Sequence, residues 1–83
     1  MSTSPPAACL DLRGTPCPLN YVRARLTLEA IPVGAWLQVD LDPGEPEDMV
    51  TGSLRGEGHH VISVVPEPVA EGPFVRLLIQ RGA

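Results

Sequence analysis

Residues 9–30 read Cys-Leu-Asp-Leu-Arg-Gly-Thr-Pro-Cys-Pro-Leu-Asn-Tyr-Val-Arg-Ala-Arg-Leu-Thr-Leu-Glu-Ala, and their periodicity changes part-way along. Over residues 9–13 apolar and polar positions alternate: Leu10 and Leu12 on one side, Asp11 and Arg13 on the other. That is the pattern of a short half-buried strand. Gly14-Thr15-Pro16 breaks it. Beyond the break the spacing is helical to about Ala30. Leu19, Val22, Leu26 and Ala30 fall in one narrow stripe, read as the inward face. Tyr21, Arg25 and Leu28 then project from the far side. Pro18 suits the first helical position, where a missing N–H costs nothing, which puts Cys17 at the N-cap. Ile31-Pro32-Val33-Gly34 stops the helix.

Working outward, residues 36–41 alternate cleanly, with Leu37, Val39 and Leu41 as the inner face of a second strand. The run from Asp42 to Asp48 is a turn into a second helix, with Pro46 in its first turn and acidic residues complementing the positive end of its dipole. Gly52 and Gly56 weaken that helix, Val50 and Leu54 anchor it, and Gly58 ends it. His60–Val65 reads as a third strand, Pro66–Pro73 as a loop and Phe74–Gln80 as a fourth strand, with Val75, Leu77 and Ile79 facing in. The order is βαβαββ. Strands with one apolar and one polar face call for helices on one side only. The expected fold is therefore α+β, a two-layer α/β sandwich: a four-stranded mixed sheet with two helices on one face and the last two strands antiparallel neighbours.

Eighty-three residues make one domain, expected to span 9–83 behind a tail of residues 1–8. A chain of this size has no room for a large internal active site, so any chemistry belongs on its surface. Six arginines, no lysine and ten acidic residues give a net charge of −4. No basic stripe is present to release counterions from phosphates, which argues against direct nucleic-acid binding and against anionic membranes. No apolar run reaches the roughly 18 residues needed to cross a bilayer. The segment Met1–Ala8 has neither the basic nor the apolar region of a signal peptide, so the expectation is a cytoplasmic protein. Cys9 and Cys17 are too few for a disulfide framework. With His59 and His60 they match no zinc spacing, so no metal is expected.

Cys17-Pro18 is the sharpest chemical feature. A thiol at a helix N-terminus faces unpaired N–H groups and the positive dipole end, both of which favour the nucleophilic thiolate. Arg13, four residues upstream, could add positive charge. The N–H of Asn20 is the donor an N-cap side chain normally accepts. The alternative is a small apolar residue filling a turn. Cys9, with no helix end behind it, reads as filler. His59-His60 reads as an edge pair with a general-base role as the alternative. Asp40 and Asp42 read as turn residues that could contact a basic partner, and Trp36 as packing at the sheet edge.

The stretch Leu10-Asp11-Leu12-Arg13-Gly14-x-x-Cys17-Pro18, followed by a helix, resembles the TusA/SirA-like sulfurtransferase family. The resemblance runs from about Leu10 to Gly82. It includes the Asp42-centred turn and the closing Ile79-Gln80-Arg81-Gly82. It implies a sulfur-carrier protein of sulfurtransferase type that needs no cofactor. Sulfane sulfur would be accepted as a persulfide on Cys17 from a donor protein, such as a cysteine desulfurase or rhodanese, and relayed to an acceptor protein. Pro18 is then the first proline of a Cys-Pro-x-Pro motif whose second proline is replaced by Asn20. Asn20 restores an N–H there, expected to bond the Cys17 sulfur. Pro18, Asn20 and Arg13 are thus the thiolate-supporting residues, and Tyr21, Arg25 and Leu28 the partner-docking ones. The competing functions are a regulatory or protein-interaction module on the same fold, and a thiol redox sensor in which Cys17 is oxidised to sulfenic acid.

Overall fold

The computed structural model describes residues 6–64 and 74–82. The alternating residues around Leu10 form strand β1 (Ala8–Asp11), followed by helix α1 (Leu19–Ala30), strand β2 (Trp36–Leu41), helix α2 (Glu45–Gly56), and strands β3 (His60–Val64) and β4 (Val75–Gln80). The sheet order is β1-β2-β4-β3. β1 lies parallel to β2, while β4 runs antiparallel to both β2 and β3. This is the expected mixed four-stranded sheet, and β3 and β4 are the expected antiparallel neighbours. Residue 8, assigned to the tail from the sequence, pairs with Leu37, and Ala7 donates to the Trp36 carbonyl at 2.7 Å. The expected end of β3 at Val65 and the loop 66–73 lie outside the described residues.

The strand alternation places the core on the expected side. Leu37, Val39 and Leu41 of β2, Leu77 and Ile79 of β4, and Val61 of β3 are buried. Val50 and Leu54 reach them from α2, as their spacing requires, and Leu12 closes the core just past β1. The particle measures 32 × 31 × 17 Å, the thickness of one sheet plus one helical layer. Gly82 is required by close approach: a Cβ there would collide with the Gly58 carbonyl. Its N–H donates to His59 Nδ1 at 3.1 Å, which joins the end of β4 to the start of β3.

Helix α1 corrects the expectation. The residues it buries are Asn20, Ala24 and Leu28, while Leu19, Val22 and Leu26 are 49%, 39% and 61% exposed. The presumed inward stripe faces solvent, and Leu28, expected in an exposed patch, is 1% exposed and part of the core. The reason lies in the flanking charges. With 3.6 residues per turn, Arg23 borders the Leu19–Leu26 stripe on one side and Glu29 on the other. Turning that stripe onto the sheet would drag both into an apolar layer, which costs more than leaving three aliphatic side chains wet. The opposite face carries no charge, and its small Ala24 lets the helix approach the sheet.

Among the described residues, no helix covers the other face of the sheet. Trp36, Gln38 and Asp40 of β2 stand there in register with Gln80, Leu78 and Arg76 of β4. Arg76 grips Asp40 through two bonds of 2.8 and 3.2 Å. Among the described residues, no helix is long and apolar enough to cross a membrane. A cleft of about 350 Å³ opens between α2 and β3, floored by Val61 and Leu77 and walled by Asp48, Thr51 and Arg55. No residue of the β1–α1 loop lines it.

Candidate functional site

The β1–α1 loop is held by bonds within itself and to the end of β2. Leu12 N–H donates to the Asp40 carbonyl at 2.8 Å, extending the β1–β2 pairing by one residue, and its side chain is sealed in the core. Thr15 N–H returns to the Leu12 carbonyl at 3.0 Å, closing a tight turn. Gly14 makes that turn possible: its φ is +76°, a left-handed conformation that a side chain disfavours. Asp11 accepts the Arg13 backbone N–H at 3.1 Å and both prongs of its guanidinium at 2.8 Å. Gly14 N–H donates to Asp42 Oδ2 at 2.8 Å, across to the end of β2. Held this way, the loop projects Cys17, which is exposed and carries a free thiol.

Helix α1 begins one residue later than expected. Pro18 is the N-cap residue, so Cys17 lies one position further out and Leu19 is the first helical residue. The turn is closed by Asn20 N–H on the Pro16 carbonyl at 3.1 Å and Val22 N–H on the Pro18 carbonyl at 3.0 Å. Tyr21 N–H is taken by Asn20 Oδ1 at 2.7 Å. Three of the four N–H groups of the first turn are therefore already bonded within the chain. Leu19 N–H is the one with no acceptor among the described residues.

The matching family model is described as sulfurtransferase TusA, and it spans residues 8–81. The chain belongs to the TusA family. It is 38% identical over 72 residues to an Archaeoglobus fulgidus protein named "Putative sulfur carrier protein", covering 87% of this chain and 80% of the relative. The crystal structure of the SirA-like protein from Desulfitobacterium hafniense superposes with a TM-score of 0.73 at 18% identity. That match covers 92% of this chain and 99% of the other, and shows the shared fold.

Several expected roles within this TusA chain shift. Asn20 does not donate to sulfur: its N–H is on Pro16, its side chain is fully buried, and Nδ2 has no partner among the described residues. Arg13 is directed to Asp11 and lies 5.0 Å over the Phe74 ring, so its charge is already neutralised. Tyr21 is half-buried, and its hydroxyl donates to the Glu57 carboxylate, tying α1 to the end of α2. Arg25 is exposed but stands between Glu29 at 3.6 Å and Glu57 at 3.7 Å. Cys9 is exposed on the helix-free face of the sheet, opposite Gln38. His60 packs edge-on against Trp36, with ring centres 6.0 Å apart. His59, with Nδ1 already accepting from Gly82, has a structural task. Among the described residues, no three His, Cys, Asp or Glu side chains converge as a metal site.

Asp11 gives the loop a pH signature. The Arg13 guanidinium, followed by the Arg13 backbone N–H, lowers its carboxyl from the ordinary 3.8 to about 2. A carboxyl depressed in the folded state contributes stability above its unfolded pKa and loses it as pH falls through the folded one. The clasp should therefore hold at pH 4 and open only near pH 2. Carboxyl-carbon NMR titration is expected to place Asp11 near 2 in the native chain and markedly higher in Arg13→Ala. A midpoint near 4 in the native chain would show that the clasp does not form.

Proposed function

We propose that this TusA chain carries sulfane sulfur as a persulfide on Cys17 and passes it between proteins. The observation that carries this reading is the placement of Cys17: a free, exposed thiol in a tied loop just before α1, in a domain 17 Å thick whose described cleft lies elsewhere. A thiol presented on a surface suits substrates that are themselves proteins. The reaction is an exchange. The Cys17 thiolate attacks the terminal sulfur of a donor persulfide, the donor's S–S bond breaks, and its electron pair leaves with the donor thiolate. Cys17 then holds the S–SH group until an acceptor thiolate attacks the same terminal sulfur and Cys17 departs as thiolate. Electrons balance at each step without an outside oxidant.

Incubation with a cysteine desulfurase and cysteine, followed by intact-mass measurement, is expected to show a gain of one sulfur atom. No gain from any persulfide-bearing protein would refute the carrier reading.

The outward stripe of α1 supplies the grip for such a partner. Leu19 stands two residues from Cys17, and Val22 and Leu26 continue away from it along the exposed side. Three side chains no larger than leucine cover far less than the roughly 800 Å² per partner of a stable interface, which suits an encounter that must dissociate. Leu26→Glu is expected to raise the KM for a protein donor about tenfold. Its reaction with a small thiol reagent should match the native rate. Equal KM values would remove the stripe from the interface.

A further inference from the structure

We infer that Asp42 is the positioning residue of the thiol loop, fixing where Cys17 sits relative to the sheet. This rests on the carrier reading above and adds to it the group that makes the thiol deliverable. From Arg13 to Pro18 the backbone has few ties. Thr15 bonds back to Leu12 and Asn20 to Pro16, both within the segment and its own helix. Arg13 is held by Asp11, two residues away. Beyond the Leu12–Asp40 bond that continues the β1–β2 pairing, one hydrogen bond among the described residues links the backbone of residues 13–18 to a distant part of the chain: Gly14 N–H to Asp42 Oδ2, 28 residues on.

Both ends of that bond are placed by firm structure. Asp42 directly follows Leu41, which is fully buried and paired with Val75 at the end of a central strand. Gly14 reaches it through its left-handed φ of +76°, available at low cost only to glycine. A carboxylate accepting a backbone N–H at 2.8 Å forms a charge-assisted bond, stronger than one between neutral groups. Asp42 is not expected to touch sulfur; it acts through Gly14 on the segment that carries Cys17. Transfer requires three sulfurs nearly in line, and a loop free to swing would lose much of the advantage of a fixed approach.

The test uses the full chain with Asp42→Ala and Asp42→Asn, since asparagine keeps a carbonyl acceptor. In Asp42→Ala, the Gly14 amide should lose its hydrogen-exchange protection, and kcat/KM for sulfur uptake from a desulfurase should fall about tenfold. Asp42→Asn should restore most of both. The pH profile of Cys17 alkylation by a small reagent should coincide in all three proteins. A shifted profile would mean that Asp42 acts through its charge and would overturn the positioning role, as would native transfer rates in Asp42→Ala. If native protein takes up no sulfur, the carrier reading itself falls, and that result is separate because it needs no variant.

Discussion

Leu28→Ala is expected to remove about 2–5 kcal/mol of unfolding free energy, whereas Leu26→Ala, two residues earlier on the same helix, should change it by less than about 0.5 kcal/mol. Leu28 is 1% exposed and Leu26 is 61% exposed. Alanine is as good a helix former as leucine, so neither change penalises the helix itself, and the difference reports burial alone. Urea denaturation with a common slope measures both. A domain this small holds only about 5–15 kcal/mol in all, so Leu28→Ala could leave much of the chain unfolded. Leu28→Met provides the guard: it nearly conserves volume and should cost less than about 1.5 kcal/mol. If Leu26→Ala proved the costlier of the pair, the helix would have to sit the other way round.

That pair marks where the sequence was legible and where it was not. In β2 the alternation Trp36-Leu37-Gln38-Val39-Asp40-Leu41 could be satisfied in one way, because a strand has two faces and one of them is polar. The inner residues of β4 and the anchors Val50 and Leu54 followed from the same simplicity. In α1 the apolar residues spread over both sides, so their spacing alone does not set the rotation of the helix. The decisive signal was negative: Arg23 and Glu29 bracket the Leu19–Val22–Leu26 stripe and exclude it from the core, leaving the side of Asn20, Ala24 and Leu28. Charged positions constrain a helix's rotation more tightly than apolar ones, since an exposed leucine is common and a buried unpaired arginine is not.

The site divided along a similar line. Cys17 and the Gly14 break were visible because local backbone chemistry, a turn before a helix, depends on neighbours in sequence. From the sequence Asp42 is a turn residue that could contact a basic partner; its bond to Gly14 is not visible there, because it depends on β1 and β2 lying side by side. Asn20 departs from its expected role for a different reason. Its N–H had a nearer acceptor in the Pro16 carbonyl, four residues back, which is the ordinary helical spacing.

Cys17→Ser is expected to abolish sulfur uptake from a protein donor entirely, while Cys9→Ser should leave it at the native level. Both thiols are free and exposed, so exposure does not separate them. Their surroundings do. Cys9 lies within edge strand β1 on the face away from the helices, with Gln38 beside it across the ladder, and is held in place by the sheet pairing. Cys17 stands on a projecting loop with the apolar side of α1 running away from it. Serine matches cysteine closely in size, so Cys17→Ser should keep the loop intact, yet its hydroxyl is not ionised at neutral pH and cannot attack sulfur. Inorganic polysulfide provides the contrast, because a small reagent reaches any exposed thiol and should modify both cysteines in the native chain. Sulfur delivered by a desulfurase should be found by peptide mass mapping on Cys17 alone. Uptake surviving in Cys17→Ser, or lost in Cys9→Ser, would move the chemistry to the other thiol. A native chain that gains oxygen from peroxide but no sulfur from the donor would instead behave as a redox sensor, with Cys17 as the oxidised group.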